Sequence, residues 1–345
     1  MSQHVRANLW LLVLSLVLCS VLYPLVLWAV GQTIFPERAD GSLILGKDGK
    51  PVGSRLIGQP FTKDEYFQPR PSLAGSGNGY NAAASGASNL GASNPALRAR
   101  VAQALGTIVK YRGKSPTGNT VQKDIELWFQ QWSKNHPTEE VGIVAKWADT
   151  YSTAATNWVK TDKPYGAYVE AWQKAHPNEV KAFVGDHPDN PEPKPEDMAS
   201  DFFKSYSKEH PGTWPSYAPE GKTEKVWQNV KDGSDIQSFF FDMWRQEHAD
   251  ADLEEVPGDM VMASGSGLDP HITLKNAQYQ LDRVAGAWAD KTKGDKDKLR
   301  QEIENLLREK AEAPLGGLVG VKLVNVLEVN LALRDRYGSQ SLAAK

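Results

Sequence analysis

One short stretch of the chain, residues 263–271 (ASGSGLDPH), carries the residue types of a nucleophilic hydrolase. Ser264 or Ser266 could attack an acyl carbon, with His271 as the base and Asp269 orienting the histidine. However, Ser266 lies outside a G-x-S-x-G motif, and the members of a triad normally converge from different elements. The alternative interpretation is a turn begun by Asp269 and Pro270, in which serine and glycine satisfy backbone groups.

Histidine recurs in a fixed frame in the middle of the chain. Four segments share the pattern aromatic-x-(Lys/Arg/Gln)-x-His and start 40, 34 and 38 residues apart; they begin at Trp132, Trp172, Tyr206 and Trp244. Each segment supplies one histidine, whereas a zinc site needs several ligands together. We therefore expect these histidines to lie near helix C-termini and interact with the dipole, and we expect no metal. The spacing also suggests stacked helical repeats.

Two short segments resemble nucleotide-binding motifs. Gly113-Lys114-Ser115 resembles the end of a phosphate-binding loop, but the preceding glycine, Gly106, is too distant and a helix is predicted between them. Residues 290–293 (DKTK) resemble the start of a P-type phosphorylation motif and lack its glycine and second threonine. We interpret both as accidental and expect no cofactor.

An uncharged stretch precedes all of these residues. No charged side chain occurs between Arg6 and Glu37, and residues 9–30 are long and apolar enough to cross a bilayer as one helix. Trp10 and Trp28 lie near its two ends, where indoles favour the membrane interface, and Pro24 lies within it. A cleaved signal peptide is the alternative, although its apolar region is usually shorter. The positive charge before the stretch predicts a cytoplasmic N-terminus, with the remaining chain extracytoplasmic.

The composition outside this stretch is that of a folded protein. The 345 residues carry 39 basic and 42 acidic side chains, so the net charge of -3 gives no reason to expect nucleic acid. The single cysteine, Cys19, excludes a disulfide framework. Residues 113–254 differ from the rest, with eight of the eleven tryptophans and 15 basic against 24 acidic side chains. This shift predicts a separate helical, Trp-rich, acidic insertion.

The segments on either side of the insertion predict one mixed α+β domain. Residues 42–46 and 52–58 form a predicted hairpin around Lys47-Asp48-Gly49-Lys50, and Ser93-Asn94-Pro95 opens a helix to about residue 111. A strand is predicted at 259–263, helices at 273–289 and 295–311, and a strand followed by a helix at 321–333. The domains are therefore a membrane anchor (1–36), a split core (37–112 and 255–337), the insertion (113–254) and a flexible tail (338–345).

A second loop in this core has the composition of a site. Apart from Tyr80 and Leu90, residues 75–94 are all glycine, alanine, serine or asparagine. Such a segment is either a flexible linker or an ordered loop whose backbone packs closely against a partner.

Several unusual segments, taken in order, resemble one known family. They are residues 41–44 (GSLI), 56–61 (LIGQPF), 66–67 with 70–72 (YF, RPS), 80–85 (YNAAAS), 88–91 with 93–95 (SNLG, SNP), 263–271 and 324–327 (VNVL). Together they are similar to the C subunit of the Kdp potassium-transporting ATPase, over about 200 residues from the apolar stretch to about residue 335. The 113–254 segment departs from that pattern, so no family property extends to it.

The resemblance implies an accessory, non-pumping subunit of a potassium uptake complex in the inner membrane. Its partners would be a channel-like A subunit, a P-type ATP-hydrolysing B subunit and a small F subunit. The C subunit would assist assembly and raise the ATP affinity of the B subunit. Direct contact with ATP conflicts with the predicted topology, which places most of the chain outside. The motif residues that match are the candidate partner interface: Arg70, Tyr80, Asn81, Ser85, Asn89, Ser264, Ser266, Asp269 and His271.

Overall fold

The computed structural model describes residues 2–46, 48–75, 79–161, 163–220 and 224–338, and the chain in it divides into two compact units. Unit 1 comprises Met1–Ser88 and Pro257–Lys345, and unit 2 is Asn89–Val256. Helices and short strands are mixed, as the sequence predicts. Lys47 of the predicted hairpin turn, residues 76–78 of the small-residue loop and 339–345 of the predicted tail lie outside the described residues.

Unit 1 begins with a continuous apolar helix. It consists of α1 (Ser2–Val17), a π-helical turn (Leu18–Leu22) and α2 (Tyr23–Ile34). Gln3–Ile34 is long and apolar enough to cross a membrane, and none of its most apolar window is buried. Pro24 has no N–H for the usual bond to residue 20, so the wider π turn directly before it accommodates the ring without a break. Trp10 and Trp28 are 67% and 65% exposed, near the two ends of this helix.

After this helix, a short helical turn leads into small antiparallel strand pairs. The turn is α3 (Pro36–Ala39), and β1 (Leu43–Leu45) pairs with β2 (Pro51–Ser54), which confirms the predicted hairpin. β5 (His271–Thr273) pairs with β6 (Leu323–Asn325), with His271 opposite Asn325. β5 and β6 each continue directly into a helix, and together they fix where those helices start.

Three helices form the core of unit 1: α12 (Leu274–Thr292), α13 (Lys296–Lys310) and α14 (Val326–Tyr337). Each begins at a side-chain cap, because Thr273, Asp295 and Asn325 accept a hydrogen bond from the backbone N–H three residues later. Their apolar faces meet around buried residues including Ile272, Leu281, Val284, Trp288, Ile303, Leu307, Val324 and Leu333. The predicted helices and the strand-to-helix transition at 321–333 are confirmed.

Unit 2 is mainly helical. Its helices are α4 (Pro95–Ile108), α5 (Val121–Asn135), α6 (Ile143–Thr150), α7 (Ser152–Thr161), α8 (Lys163–Ala175), α9 (Pro177–Asp186), α10 (Ala199–Glu209) and α11 (Ser234–Glu247). A hairpin of β3 (Trp214–Glu220) and β4 (Glu224–Val230), which the sequence analysis did not anticipate, lies between α10 and α11. One cluster of aromatic side chains forms the core, including Trp128, Trp132, Trp147, Trp158, Phe202, Phe203, Trp214, Phe240 and Trp244.

The four histidine segments end helices, as predicted. His136, His176 and His248 each donate from Nδ1 to the carbonyl of the tryptophan four residues earlier, at 2.8–2.9 Å, and each ring stacks on that indole. His187 makes the same contact with Phe183, a fourth instance, which the aromatic-x-(Lys/Arg/Gln)-x-His pattern does not include. His210 instead bonds Asn229.

The prediction of a one-dimensional helical stack is wrong. In such a stack each repeat contacts only its sequence neighbours. Here the first segment lies on α5 and the last on α11, and these helices pack together, with both Trp128 and Trp132 donating from Nε1 to Glu247. The aromatic side chains therefore close one common core.

Two further expectations differ from the structure. Residues 259–263 form no strand; Gly258–Met260 is a 3-10 turn, because Asp259 uses its carboxylate to bind the backbone N–H and the hydroxyl of Thr273. The division of the chain also falls after Ser88, whereas the expected insertion begins at 113. The reason is that α4 packs closely on α11, with a hypothetical Cβ on Gly106 lying 1.9 Å from the Gln237 carbonyl oxygen.

Candidate functional site

Two buried amide side chains fix the approach to the candidate site in unit 1. Asn330 accepts from the Phe67 N–H at 2.8 Å and donates to the Phe67 carbonyl at 2.9 Å. Gln280 does the same for Gln68, at 2.8 and 3.0 Å. Each amide thus supplies the acceptor and the donor that a neighbouring strand would otherwise provide to this backbone. The backbone is held in place just before Arg70.

Arg70 connects the two candidate loops. Its guanidinium donates to the carbonyls of Met262 and Ala263 at 3.3 and 3.2 Å, and it lies 3.6 Å from an Asp269 carboxylate oxygen. Planar guanidinium groups suit several fixed acceptors at once. We call the surface formed by residues 70–75, 79–86 and 262–271 the paired-loop surface.

Asp269 and His271 form a second polar contact of this surface. The Asp269 carboxylate accepts from the His271 backbone N–H at 3.0 Å and contacts its Nδ1 at 3.1 Å. Burial raises the pKa of Asp269, but the His271 hydrogen bonds and the charges of His271 and Arg70 outweigh it, so the net pKa is lowered. The carboxylate is therefore ionised at neutral pH and holds the arginine in position.

Tyr80 packs one loop against the rest of the unit. Its hydroxyl donates to the Arg70 carbonyl at 2.6 Å, and burial raises its pKa. The ring covers Gly58, where an added Cβ would lie 2.4 Å from the Tyr80 Cε1. The Gly58 N–H donates to the Leu268 carbonyl at 2.8 Å. Tyr80 itself has φ of 59°, a left-handed conformation that a non-glycine residue adopts only when its surroundings enforce it.

Backbone contacts join the two loops along their length. Gly86 donates to the Ser266 carbonyl at 2.9 Å, and the Ser85 hydroxyl donates to the same oxygen at 3.0 Å. Gly267 approaches Gly86 so closely that a Cβ would lie 2.6 Å from the Gly86 carbonyl oxygen. The small residues of segment 79–86 are therefore explained by an ordered loop packed on a neighbouring backbone, one of the two alternatives that the sequence left open.

The outer edge of the first loop is exposed. Asn81 caps a 3-10 turn (Ala82–Ala84) by accepting from the Ala83 N–H at 3.0 Å, and residues 81–85 all face solvent. Asn89 does not join this cluster: it is an exposed residue with φ of 52° and is the first residue of unit 2. The other candidate residues lie on the paired-loop surface.

The arrangement does not support a hydrolase. Asp269 pairs with His271 as a triad would require, but the Ser266 hydroxyl accepts from the Leu268 N–H at 3.1 Å within its own turn. Ser264 is buried, and its oxygen lies 3.5 Å from the Asp269 N–H. Among the described contacts, neither serine oxygen bonds the histidine. The hydroxyls satisfy backbone groups, as the turn interpretation predicts.

Ser72, which was not among the candidate residues, lies at the centre of this surface. The Ser72 hydroxyl accepts from the Ala74 and Tyr80 N–H groups and donates to the Gly267 carbonyl at 2.5 Å, so it joins both loops. It stands directly after Pro71, a position typical of serine-stabilised turns, which was the available signal. No local sequence signal identifies Asn330 and Gln280, because they lie on helices far along the chain from the backbone groups that they bind.

Unit 1 thus combines a helix that is long and apolar enough to cross a membrane with a small α+β core and a polar surface built from two loops. Comparison with protein families indicates the kind of protein. The family model described as "K+-transporting ATPase, c chain" (KdpC) matches residues 5–127 and 228–335. The chain belongs to this family.

Curated relatives carry the same name. The potassium-transporting ATPase KdpC subunit of Beijerinckia indica is 48% identical over 103 residues, which are 30% of this chain and 51% of the relative. The subunit of Citrifermentans bemidjiense is 43% identical over 106 residues (31% and 55%), and that of Caulobacter vibrioides 50% over 101 residues (29% and 50%). The chain spans about half the length of the curated relatives it matches.

The family match excludes residues 128–227. This segment lies inside the predicted insertion of 113–254, which extends further along the chain at both ends. Its ends lie close together in unit 2, because the Glu126 carboxylate accepts from the Gly233 N–H at 2.8 Å and Gln130 donates to the Lys231 carbonyl at 2.8 Å. An extra segment that leaves and re-enters at neighbouring points disturbs the flanking fold little.

Proposed function

We propose that the chain is an accessory, non-pumping subunit of an ATP-driven, high-affinity potassium uptake complex. The observation that carries the proposal is the family match on both sides of the extra segment, which includes the apolar helix and the paired-loop surface. The hydrolase alternative is not retained, because its serines are used in turns.

The partners that we propose are a channel-like A subunit, a P-type B subunit that hydrolyses ATP, and a small F subunit. The chain assists their assembly and raises the ATP affinity of the B subunit. Within the membrane, the apolar helix packs against helices of the partner subunits. In the α+β unit, the exposed edge at residues 81–85 offers small side chains that allow close backbone contact with a partner subunit. The side chains that hold this edge in its conformation are Arg70, Ser264, Ser266, Asp269 and His271.

We further propose a single-pass topology in the inner membrane, with a cytoplasmic N-terminus and a periplasmic α+β unit. Arg6, near the N-terminal end of the apolar helix and before its uncharged stretch, supports this orientation. ATP would then lie on the opposite side from most of the chain. The effect on ATP affinity is therefore indirect, transmitted through the helix and the channel-like subunit, and the family's association with ATP binding does not require a nucleotide site here.

Co-purification from membranes tests the proposal. Affinity-tagged chain should retain the A and B subunits after detergent extraction, whereas a chain lacking residues 1–36 should not. Ala84→Trp adds bulk to the exposed edge without removing an internal hydrogen bond and should weaken retention. Gln301→Trp, on the exposed face of α13, is the matched control and should leave retention unchanged. Retention of both partners by the truncated chain, or none by the full chain, would contradict the proposal.

A further inference from the structure

An apolar segment projects from unit 1 between α13 and β6. A 3-10 turn (Pro314–Gly317) is followed by Leu318, Val319 and Val321, whose exposed fractions are 86%, 54% and 60%. We call residues 314–321 the apolar tip. Single exposed apolar residues need no explanation, but three within four positions on one projecting loop indicate a surface that is covered in the working state.

The backbone of the tip keeps these side chains outside the core. Gly317 and Gly320 have φ of 92° and 78°, which only glycine adopts readily, and they flank Leu318 and Val319. The chain therefore turns sharply on both sides of the two side chains and presents them at the apex. An ordinary surface loop would place polar residues at such an apex.

The tip lies beside the end of the membrane helix. One cavity of about 560 Å³ is lined both by Glu37 and Arg38, which follow the helix end at Ile34 by three and four residues, and by Pro314, the first residue of the tip. The start of the tip and the residues that follow the helix therefore border the same cavity. Phe35, at the same helix end, is itself 52% exposed.

Charged side chains around the tip suit a lipid headgroup layer. Arg38 and Lys310 line the cavity, and neither has an ion-pair partner among the described residues; Lys322 directly follows the tip. The carboxylates facing the same cavity are Glu37, Glu312 and Glu328, of which Glu37 and Glu328 both pair with Arg55. Cations beside projecting apolar side chains are the pattern of segments that rest in the membrane interface.

We propose that the apolar tip enters the lipid interface next to the chain's own membrane helix and forms a second contact of unit 1 with the bilayer. We assign lipid as the occupant of this surface, because the tip begins at the cavity that also borders the residues directly after Gln3–Ile34, where a bilayer crossed by that helix would end. Two contacts fix the orientation of the unit on the membrane, which one helix and a short connection cannot do. The proposal depends on membrane insertion of the helix and not on assembly with a pump.

Site-specific fluorescence in lipid nanodiscs tests it. Val319→Cys, in a Cys19→Ser background, is labelled with a polarity-sensitive dye, and quenching by lipid-borne nitroxide is compared with quenching by aqueous iodide. We expect loss of emission with the lipid quencher and protection from iodide, both for the isolated chain and within the complex. Lys298→Cys is the control, at an exposed position at the far end of α13, about 18 Å along that helix from Lys310. Its label should be quenched by iodide and not by the lipid quencher.

Two additional measurements make the result decisive. Native Cys19, in the apolar helix, reports helix insertion; if it escapes the lipid quencher, both the anchor and the tip proposal are overturned. Leu318→Asp with Val319→Asp, labelled at Val321→Cys, should lose lipid quenching while the protein stays folded. A Val319 label that iodide reaches as readily as Lys298 contradicts the proposal, as does a label shielded from both quenchers in the complex, which would show that a protein covers the tip.

Discussion

The two units of the chain are stabilised in different ways. In unit 1, the paired-loop surface and the backbone leading to it depend on individual hydrogen bonds between side chains and backbone, such as those of Ser72, Asn330 and Tyr80. Unit 2 depends on packing of large rings, for example Trp147 against Trp214 at 5.0 Å and Phe129 against Phe240 at 4.6 Å between ring centroids. Loops held by directional bonds can present a defined backbone surface to partners, whereas a ring cluster stabilises a unit without specifying any such surface.

The difference predicts different sensitivities. Unit 2 should respond mainly to changes of volume, because interiors packed at crystal-like density tolerate neither voids nor added atoms. In unit 1, the paired-loop surface and the backbone leading to it should respond mainly to loss of a donor or acceptor, because an unsatisfied buried polar group keeps its full desolvation cost.

The largest effect is expected from Gly106→Ala in unit 2. The added methyl group would lie 1.9 Å from the Gln237 carbonyl oxygen, so α4 and α11 must separate. We expect a loss of about 3 kcal/mol of unfolding free energy. Hydrogen exchange of the full chain in detergent should show faster exchange in α4 and α11.

Gly185→Ala is the matched control, because no atom lies within 4 Å of its added methyl group and its helix, α9, should be unchanged or slightly stabilised. Equal exchange in the two variants would show that α4 does not belong to unit 2 and would favour the division at residue 113.

The second effect is expected from Asn330→Leu in unit 1. The substitution keeps the number and branching of the side-chain heavy atoms but leaves the N–H and carbonyl of Phe67 without partners in a buried position. Because each orphaned group retains its desolvation cost, we expect a loss of about 2–3 kcal/mol, with Asn330→Asp intermediate since it keeps the acceptor. The rate of protease cleavage between residues 60 and 75 measures this loss of stability. Gln301→Ala, at an exposed position on α13, is the control; if its cleavage rate matches that of Asn330→Leu, the amide does not hold this segment.

The sequence predicted individual helices better than the tertiary contacts between distant segments. Periodicity and caps identified the helices beginning after Asn94, Thr273 and Asp295, because those signals are local. The Asp259 turn was mistaken for a strand, since its partner Thr273 is 14 residues away and a short apolar run does not reveal it. In the site, Arg70, Asp269 and His271 were named from their residue types and motif, whereas Gln280 and Asn330 act through contacts more than 200 residues away along the chain.

A smaller effect is expected from Tyr80→Phe, which removes only the bond from the hydroxyl to the Arg70 carbonyl and keeps the ring over Gly58. We expect a loss of about 1 kcal/mol, typical of one hydrogen bond. Hydrogen exchange at residues 79–86 should be faster, with α13 unchanged. Unaltered exchange in the loop would show that ring packing alone holds it.

The smallest effect is a pH dependence in unit 2. Burial lowers the pKa of His176, but the bond to the Trp172 carbonyl and the Glu209 carboxylate outweigh it, so the pKa lies above its ordinary value of 6.5. Stabilisation from a raised pKa is complete below the unfolded value and is lost as pH rises through the folded one. The melting temperature of unit 2 should therefore fall slightly from about pH 6 to about pH 8. His176→Gln should flatten this change; a slope identical to that of the unchanged chain would exclude the pair as its source.

The central claim is that the chain assists a potassium pump and does no chemistry of its own. Purified A, B and F subunits, reconstituted in nanodiscs with and without this chain, allow ATP hydrolysis to be measured against ATP concentration in the presence of potassium. We predict that adding the chain lowers the KM for ATP and restores potassium-stimulated hydrolysis, and that the chain alone hydrolyses nothing. The same KM and the same potassium stimulation without the chain would contradict the account.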